Sequence, residues 1–95
     1  MSRRRYLIAY DISDPKRLRR VIKVMEAYGQ RLQYSVFLCD LSGMEFTRWN
    51  RDVLEVVHLG EDSVVTIDLG SVEAAAEVRT LGRPRTLPST GPTIV

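Results

Sequence analysis

Residues 6–15 read YLIAYDISDP, and this stretch decides the fold. A short apolar run rich in Ile, Leu and Tyr is typical of a buried strand. Asp14 before Pro15 indicates the cap and the first residue of a helix. Asp11 is therefore predicted to lie at the carboxyl end of a central strand, where the chain leaves the sheet. A carboxylate at that point has to be exposed in a cleft or bound to a partner, because burying it alone is costly.

The composition predicts one small basic domain. A chain of 95 residues has a marginal core of its own and would gain from dimerisation. The single cysteine, Cys39, excludes a disulfide framework and predicts a reducing, cytoplasmic location. The N-terminal apolar run is too short for a signal peptide or a membrane span, so no membrane partner is expected.

The charge is distributed unevenly along the chain. Residues 1–31 carry nine basic and three acidic side chains, a net charge of +6. The remainder carries five basic and nine acidic side chains, a net charge of −4. This asymmetry predicts a basic surface for a polyanion, although a solvated helix face is the commoner cause of such a run.

Hydrophobic spacing predicts alternating strands and helices. The predicted elements are a strand over 3–12, a helix over 14–28, an extended stretch over 31–41, a helix over 44–59 and strands over 62–69 and 78–81. The stretch 31–41 is long for one strand and predicts a kink or a break. Ser42 and Glu45 form a capping box before the second helix. Residues 1–82 are thus expected to form one domain, and residues 83–95 a C-terminal extension without a core pattern.

Two helices can cover only one face of the predicted sheet. Leu7, Ala9, Phe37, Cys39 and parts of 64–69 are assigned to the uncovered face, which stays apolar. An apolar sheet face marks an interaction site, and the simplest partner is a second copy across a two-fold axis.

A two-fold axis would give Asp11 a symmetry-related carboxylate. Two carboxylates facing one cleft could hold a Mg²⁺ ion with several waters, and such an ion can activate water beside a phosphodiester. The alternative, which the pattern alone favours, is that Asp11 caps the turn into the helix. Asp68 could line the same cleft or simply face water. With a single cysteine and a single histidine, the chain cannot form a structural zinc site by itself.

Arginines lie close to the aromatic side chains of the predicted strands. Arg17, Arg19 and Arg31 follow or precede these strands, and a guanidinium can bind phosphate through two hydrogen bonds. Aromatic side chains on a sheet face can stack bases, but core packing is their commoner role. The aromatic residues in question are Tyr6, Tyr10, Tyr34 and Phe37.

Three segments together resemble the CRISPR-associated protein two family, the small partner of the integrase in spacer acquisition. They are residues 10–14 (YDISD), the basic first helix ending at Tyr28-Gly29, and residues 33–37 (QYSVF). The later strand beginning at Asp62 and the Leu81-Gly82 ending fit the same pattern, so the resemblance covers roughly residues 5–82. The Pro- and Thr-rich tail departs from it.

The resemblance implies an α+β ferredoxin-like sandwich with one mainly antiparallel sheet and two helices on one face. It implies that 31–41 is a hairpin, that two copies dimerise through the other face, and that the C-terminal extension crosses to the partner subunit.

The resemblance also implies a function. Asp11 matches the family's metal ligand and catalytic aspartate, which implies a Mg²⁺-dependent endonuclease acting on RNA or DNA. Arg17, Arg19, Arg31 and Phe37 match positions tied to activity in some members and are the expected nucleic-acid contacts. The alternatives are a non-catalytic DNA-binding scaffold for the CRISPR integrase, or a toxin-like RNA-cleaving protein of similar fold.

Overall fold

The computed structural model describes residues 2–83. Four strands and two helices follow one another in the order β1 (Arg4–Asp11), α1 (Pro15–Tyr28), β2 (Gln30–Gln33), β3 (Val36–Leu41), α2 (Gly43–Leu54) and β4 (Ser63–Ser71). One 3-10 turn, Val72–Ala74, follows β4. The predicted C-terminal extension lies outside the described residues except for Arg83, and it stays a prediction.

The strands form one sheet in the order β2-β3-β1-β4, and every neighbouring pair is antiparallel. The stretch 31–41 is split by a turn at Tyr34 and Ser35, so the expected hairpin is confirmed. β1 is a central strand, and its carboxyl end points the chain toward α1. The predicted α+β ferredoxin-like architecture, with two helices on one side of the sheet, is confirmed.

The core lies between the two helices and the sheet. Val21 and Met25 of α1 are fully buried, and Trp49 of α2 is nearly so. These side chains pack with Ile8 and Phe37 of the sheet in one apolar cluster. The apolar residues of each helix recur three or four positions apart, which gives each helix one buried side.

The helix boundaries depend on local caps. The Asp14 side chain accepts a hydrogen bond from the Arg17 backbone N–H and starts α1, as predicted. Ser42 and Glu45 form the predicted capping box of α2. Between the two helices, Tyr28 Oη donates to Asp52 at 2.6 Å.

Gly29, which follows α1, is required by close packing. Its backbone is extended (φ −165°), so no left-handed conformation demands glycine. A Cβ at this position would collide with the Leu38 carbonyl oxygen and with Cys39 Sγ. The end of α1 can therefore approach β3 only because residue 29 has no side chain.

The assignment of Phe37 and Cys39 to the uncovered face is wrong. Both side chains point to the helices and are fully buried. Leu38, which pairs with Leu7, and Val36, which pairs with Ala9, lie on the uncovered face instead. Both sets of alternating residues in β3 are apolar, so the pattern could not decide which set faces the helices.

The uncovered side of the sheet, here called the open face, is apolar at its centre. It carries Leu7 and Ala9 of β1 together with Val65 and Ile67 of β4, to which they are paired. Val65 and Ile67 are half exposed, at 51% and 49%. The apolar open face expected from the sequence is therefore present, although β3 contributes different residues to it.

One predicted boundary and one predicted strand are also wrong. α2 ends at Leu54, and beyond it the His58 N–H donates to Asp62 Oδ2 at 2.8 Å and not to the Leu54 carbonyl oxygen. Residues 78–81 form no strand, and Leu81 is 98% exposed. Within residues 2–83, β4 is the edge of the sheet and no further strand pairs with it.

Candidate functional site

Asp11 ends β1 with its carboxylate exposed. Its backbone pairs with Ser63 of β4, and by alternation its side chain lies on the same side of the sheet as Leu7 and Ala9, the open face. Within the described part of the chain, the Asp11 carboxylate makes no hydrogen bond or ion pair. The Ser13 N–H, which an Asx turn at Asp11 would engage, donates to Asp62 Oδ1 instead, so the alternative in which Asp11 caps the turn is wrong. Asp11 is thus available to a ligand.

Two further acidic residues of the sheet, Asp40 and Asp68, already form ion pairs with arginines. Asp40 is paired with Arg5, whose guanidinium lowers the pKa of that carboxyl. Asp68 is paired with Arg4 and accepts from the Gly70 N–H, and both contacts lower its pKa. Neither lies beside Asp11. Across residues 2–83, no three His, Cys, Asp or Glu side chains cluster as metal ligands.

The chemistry of Asp11 nevertheless fits a hard cation. Mg²⁺ binds proteins through one or two carboxylates and keeps several waters, so a single free carboxylate per chain is half of such a donor set. Because Asp11 lies on the open face, a second copy docked there could supply the other half. A single chain does not provide a complete metal site.

A cleft of about 460 Å³ lies between the end of β1, the first half of α1 and the β2–β3 turn. Tyr10 and Arg31 line it, together with the aliphatic side chains of Ile12, Leu18 and Ile22. Asp11, Tyr34 and Ser35 complete the lining. We call this the Arg31 cleft, because Arg31 is the one cation among the described residues that line it.

Arg31 is almost completely buried, although its side chain carries a charge. The residue is only 7% exposed, and its Nε and Nη2 atoms are shielded from solvent without a hydrogen-bond partner. Its Cζ lies 5.5 Å from the Phe37 ring and 5.9 Å from the Tyr34 ring. Aromatic faces attract a cation but do not replace its hydrogen bonds. Among residues 2–83, two of the three guanidinium nitrogens therefore have no hydrogen-bond partner.

The Phe37 ring packs against the Arg31 guanidinium and is fully buried. Its ring has no surface exposed to solvent in this structure, and the expectation that it contacts nucleic acid stays a prediction. Tyr34, by contrast, is 72% exposed beside the cleft. It is the aromatic side chain that a ligand can reach.

Tyr10 fixes the turn that carries Tyr34. Its hydroxyl donates to the Tyr34 carbonyl oxygen at 2.8 Å. Burial raises the pKa of Tyr10, although a hydrogen bond with Arg31 and the positive charge of Arg31 oppose that shift. Tyr10 therefore keeps its proton at neutral pH and acts as a hydrogen-bond donor.

Arg17 belongs to a different arrangement, here called the Asp62 clasp (Ser13, Arg17, His58, Glu61 and Asp62). The Arg17 guanidinium donates to both Asp62 oxygens, at 2.9 and 3.1 Å, and to Glu61 at 3.0 Å. Asp62 also accepts from the backbone N–H groups of Ser13 and His58. The clasp joins the β1–α1 loop to the α2–β4 loop.

The charges of the clasp stabilise each other. Hydrogen bonds from Arg17 are the main cause that holds the pKa of Asp62 well below its usual range, and the Asp62 carboxylate raises the pKa of Arg17. The Asp62 side chain has no exposed surface. The sequence analysis did not identify Asp62, and the only signal was an acidic pair, Glu61-Asp62, before the last strand.

Arg19 lies on the exposed side of α1. With Lys16, Arg20 and Lys23 it lines a shallow groove, here called the α1 basic face. These four side chains make no ion pair with the described residues, so their charge is free to attract a polyanion. The structure thus places Arg31 in the cleft, which Asp11 borders at the end of β1, Arg19 on a separate surface and Arg17 in the clasp.

Neither helix of the described chain is both long and apolar enough to cross a bilayer. The surface features that remain are the Asp11 carboxylate, the Arg31 cleft, the α1 basic face and the open face.

Comparison with known proteins identifies the family. The family model described as CRISPR associated protein Cas2 matches residues 4–75. The chain is 43% identical over 68 residues to the "CRISPR-associated endoribonuclease Cas2 1" of Rhodospirillum rubrum, covering 72% of this chain and 67% of that protein.

Solved structures agree with the sequence matches. The hypothetical protein TT1823 of Thermus thermophilus has a TM-score of 0.76 at 30% identity, over 90% of this chain and 99% of that one. Streptococcus pyogenes Cas2 has a TM-score of 0.66 at 35% identity, over 70% and 86%. The chain with the free Asp11 and the Arg31 cleft belongs to the Cas2 family of CRISPR-associated proteins.

Proposed function

We propose that this chain is a metal-dependent endonuclease that acts on RNA or DNA as a homodimer. The observation that carries the proposal is the unpaired Asp11 carboxylate at the end of β1, beside the Arg31 cleft. A relative at 43% identity is named an endoribonuclease, which supports the same reaction class. Hydrolysis of a phosphodiester is the chemistry that a free carboxylate and a nearby guanidinium can serve.

Dimerisation is the first requirement of this mechanism. The open face carries half-exposed Val65 and Ile67 next to Leu7 and Ala9, and its burial between two copies would remove apolar surface from water. The same docking would bring the two Asp11 side chains to one interface. Each chain would then supply one carboxylate to a shared Mg²⁺ ion.

The residues around the ion would have separate tasks. Bound Mg²⁺ supplies positive charge that polarises a phosphodiester and favours attack by water. Asp11 holds the ion, and the α1 basic face attracts the phosphates on either side of the reacting bond. Arg31 contacts the nucleic acid inside the cleft, next to Asp11. Arg17 positions the β1–α1 loop through the Asp62 clasp and needs no contact with substrate.

The catalytic role is tested with Asp11→Asn, which keeps the size of the side chain and removes its charge. Metal-dependent cleavage of a single-stranded RNA is expected to fall at least about 100-fold, because the ion loses a ligand. Dimerisation and nucleic-acid binding are expected to stay unchanged. Cleavage at the wild-type rate by the purified variant would refute the proposal.

Asp68→Asn is the matched control for this test. It makes the same chemical change on a neighbouring strand, at a carboxylate that is paired with Arg4 and does not line the cleft. Cleavage by this variant is expected to match the wild type. Light scattering on both variants checks that each remains a dimer.

A second candidate function is a DNA-binding scaffold that partners the CRISPR integrase in spacer acquisition, in the cytoplasm. The α1 basic face supports it, since four exposed cations without ion pairs suit the backbone of a duplex. Charge reversal of Arg19 and Lys23 together is expected to weaken duplex binding about tenfold or more and to reduce its salt dependence. Reversal of Arg79, an exposed arginine beyond β4, is the control. Affinity that does not respond to salt would exclude this role.

A further inference from the structure

Asp62, the residue directly before β4, binds a backbone group that Asp11 would otherwise use. An aspartate side chain commonly accepts a hydrogen bond from the backbone N–H two positions later, which forms an Asx turn. For Asp11 that group is the Ser13 N–H. In the structure the Ser13 N–H donates to Asp62 Oδ1 at 3.0 Å, so the local turn at Asp11 does not form.

The register of the sheet brings Asp62 to this position. Asp11, the last residue of β1, pairs with Ser63, the first residue of β4. Asp62 therefore precedes that pair on one strand, and the chain that leaves β1 follows it on the other. The Ser13 hydroxyl also donates to Asp62 Oδ1, at 3.2 Å. The two loops thus meet directly beside the end of the central strand.

The Asp62 carboxylate is fixed before it binds Ser13. Its Oδ2 atom accepts from Arg17 Nε at 2.9 Å and from the His58 N–H at 2.8 Å, and the side chain has no exposed surface. A carboxylate held in this way loses little further freedom when it accepts another hydrogen bond. Asp11 is exposed and would have to order its side chain, so Asp62 is the better acceptor.

The consequence of this competition concerns Asp11. A hard cation binds to carboxylate oxygens, and an N–H that occupies one of them competes with the ion. If the Ser13 N–H were bound to Asp11, only the fraction of molecules with that bond broken would bind the ion at full strength, and the apparent affinity would fall accordingly.

We propose that Asp62 is a positioning residue for metal binding, because it holds the Ser13 N–H and thereby leaves the Asp11 carboxylate free for a hard cation. The inference rests on the proposed function for the role of Asp11 as a metal ligand. Asp62 itself contacts neither ion nor substrate. The Asp62 clasp then has a second task besides joining two loops.

The first test needs no metal. Hydrogen exchange of the Ser13 amide is followed by NMR in the presence of EDTA, in the wild type and in Asp11→Ala. Because Asp62 is the acceptor, the exchange rate in Asp11→Ala is expected to stay within about twofold of the wild-type rate. A faster exchange than this would show that Asp11 holds the amide in solution and would overturn the proposal.

The second test removes the competing acceptor with Asp62→Ala, at a temperature below the Tm of the variant. Asp11 is then expected to accept from the Ser13 N–H, so that the further change Asp11→Ala speeds its exchange about fivefold. Equal rates in the single and the double variant would contradict the proposal. The comparison of the wild type with Asp11→Ala decides which acid is the acceptor even if Asp62→Ala does not fold.

Metal affinity is measured with Mn²⁺, which favours the same oxygen ligands as Mg²⁺, by titration calorimetry on the full chain. Asp62→Ala is expected to raise the Kd for Mn²⁺ about fivefold. Glu61→Gln is the matched control, since Glu61 also pairs with Arg17 but its side chain does not bind the Ser13 N–H, and its Kd is expected to match the wild type. An unchanged Kd for Asp62→Ala, or an equal rise for Glu61→Gln, would overturn the proposal.

Asp11→Asn separates this inference from the proposed function. If this variant binds Mn²⁺ as tightly as the wild type, Asp11 is not the metal ligand and the proposed function fails. The exchange of the Ser13 amide involves no metal, so it still decides whether Asp62 keeps the Asp11 carboxylate free. Failure of the two proposals is therefore seen in different measurements.

Discussion

The Asp62 clasp and the Arg31 cleft each contain one arginine, and the two guanidinium groups differ in how far their hydrogen-bond donors are paired. Arg17 donates to two carboxylates, those of Glu61 and Asp62, and these contacts join the start of α1 to the α2–β4 loop. Arg31 is more deeply buried, yet two of its nitrogens have no partner within residues 2–83. A satisfied arginine holds a fold together, whereas an unsatisfied buried one is available to a ligand at a cost in stability.

The two regions also lie on opposite sides of the same loop. The clasp fixes the segment between β1 and α1 by way of Ser13 and Arg17. That segment begins directly after Asp11, which lines the cleft. Arg17 and Asp62 thus fix the loop that directly follows Asp11.

The largest effect on stability is expected from Asp62→Asn. The amide presents a donor toward Arg17 or toward the N–H of His58, so at least one donor loses its acceptor. The Tm is expected to fall by roughly 5–10 °C in a thermal denaturation experiment. Glu77→Gln, which changes an exposed ion pair with Arg79, is the control and is expected to leave the Tm almost unchanged. An equal fall in Tm for the two variants would show that the clasp stabilises the fold no more than an exposed ion pair does.

A change of opposite sign is expected from Arg31→Met. Replacement of a buried, unpaired cation by an apolar side chain of similar length is expected to raise the Tm by about 2–4 °C and to weaken single-stranded RNA binding. The same replacement at Arg17 is expected to lower the Tm. If both variants lost stability, Arg31 would be a structural residue like Arg17.

The smallest effect is in the pH dependence of stability. Contacts with Arg17 hold the pKa of Asp62 below its usual value of 3.8, so its stabilising contribution is complete above that pH and is lost as the pH falls toward the folded-state pKa. Between about pH 5 and pH 3, the Tm of Asp62→Asn is expected to fall less than that of the wild type, by about 3 °C. An identical slope for the two proteins would contradict this assignment.

Glu45 is expected to account for part of the acid sensitivity that remains. Its carboxylate bonds to Arg3 and to the Ser42 backbone, and these contacts lower its pKa to about 2. Its contribution is also present above its usual pKa and lost as the pH falls toward 2. Asp62→Asn should therefore reduce the acid transition without abolishing it.

Much of the architecture could be predicted from residue patterns. The position of Asp11 at the end of the first strand followed from an apolar run and a helix cap at Asp14, which are local signals. The capping box at Ser42 was equally local. The end of α2 at Leu54 could not be predicted, because the residues that follow it make contacts, such as that of the His58 N–H with Asp62, which exist only in the folded chain.

The candidate site was predictable only in part. The resemblance to a family pointed to Asp11, Arg17, Arg19, Arg31 and Phe37 as one group. The structure separates them into a cleft, a clasp, a helix surface and a core position, because their side chains leave the backbone in different directions. Neither the closeness of these residues along the chain nor their charge indicates in which direction each side chain points.

The sequence by itself determined where the strands and helices start, which side of each helix is buried and that one acidic residue ends the central strand, because these depend on spacing and caps along the chain. Only the tertiary structure decided that the Phe37 side chain of β3 points inward and that Arg17 donates hydrogen bonds to Asp62. The same holds for Arg31, two of whose nitrogens have no hydrogen-bond partner among the described residues. The physical reason is that hydrogen-bond saturation depends on which distant groups meet, and alternating apolar strands do not specify their own inner face.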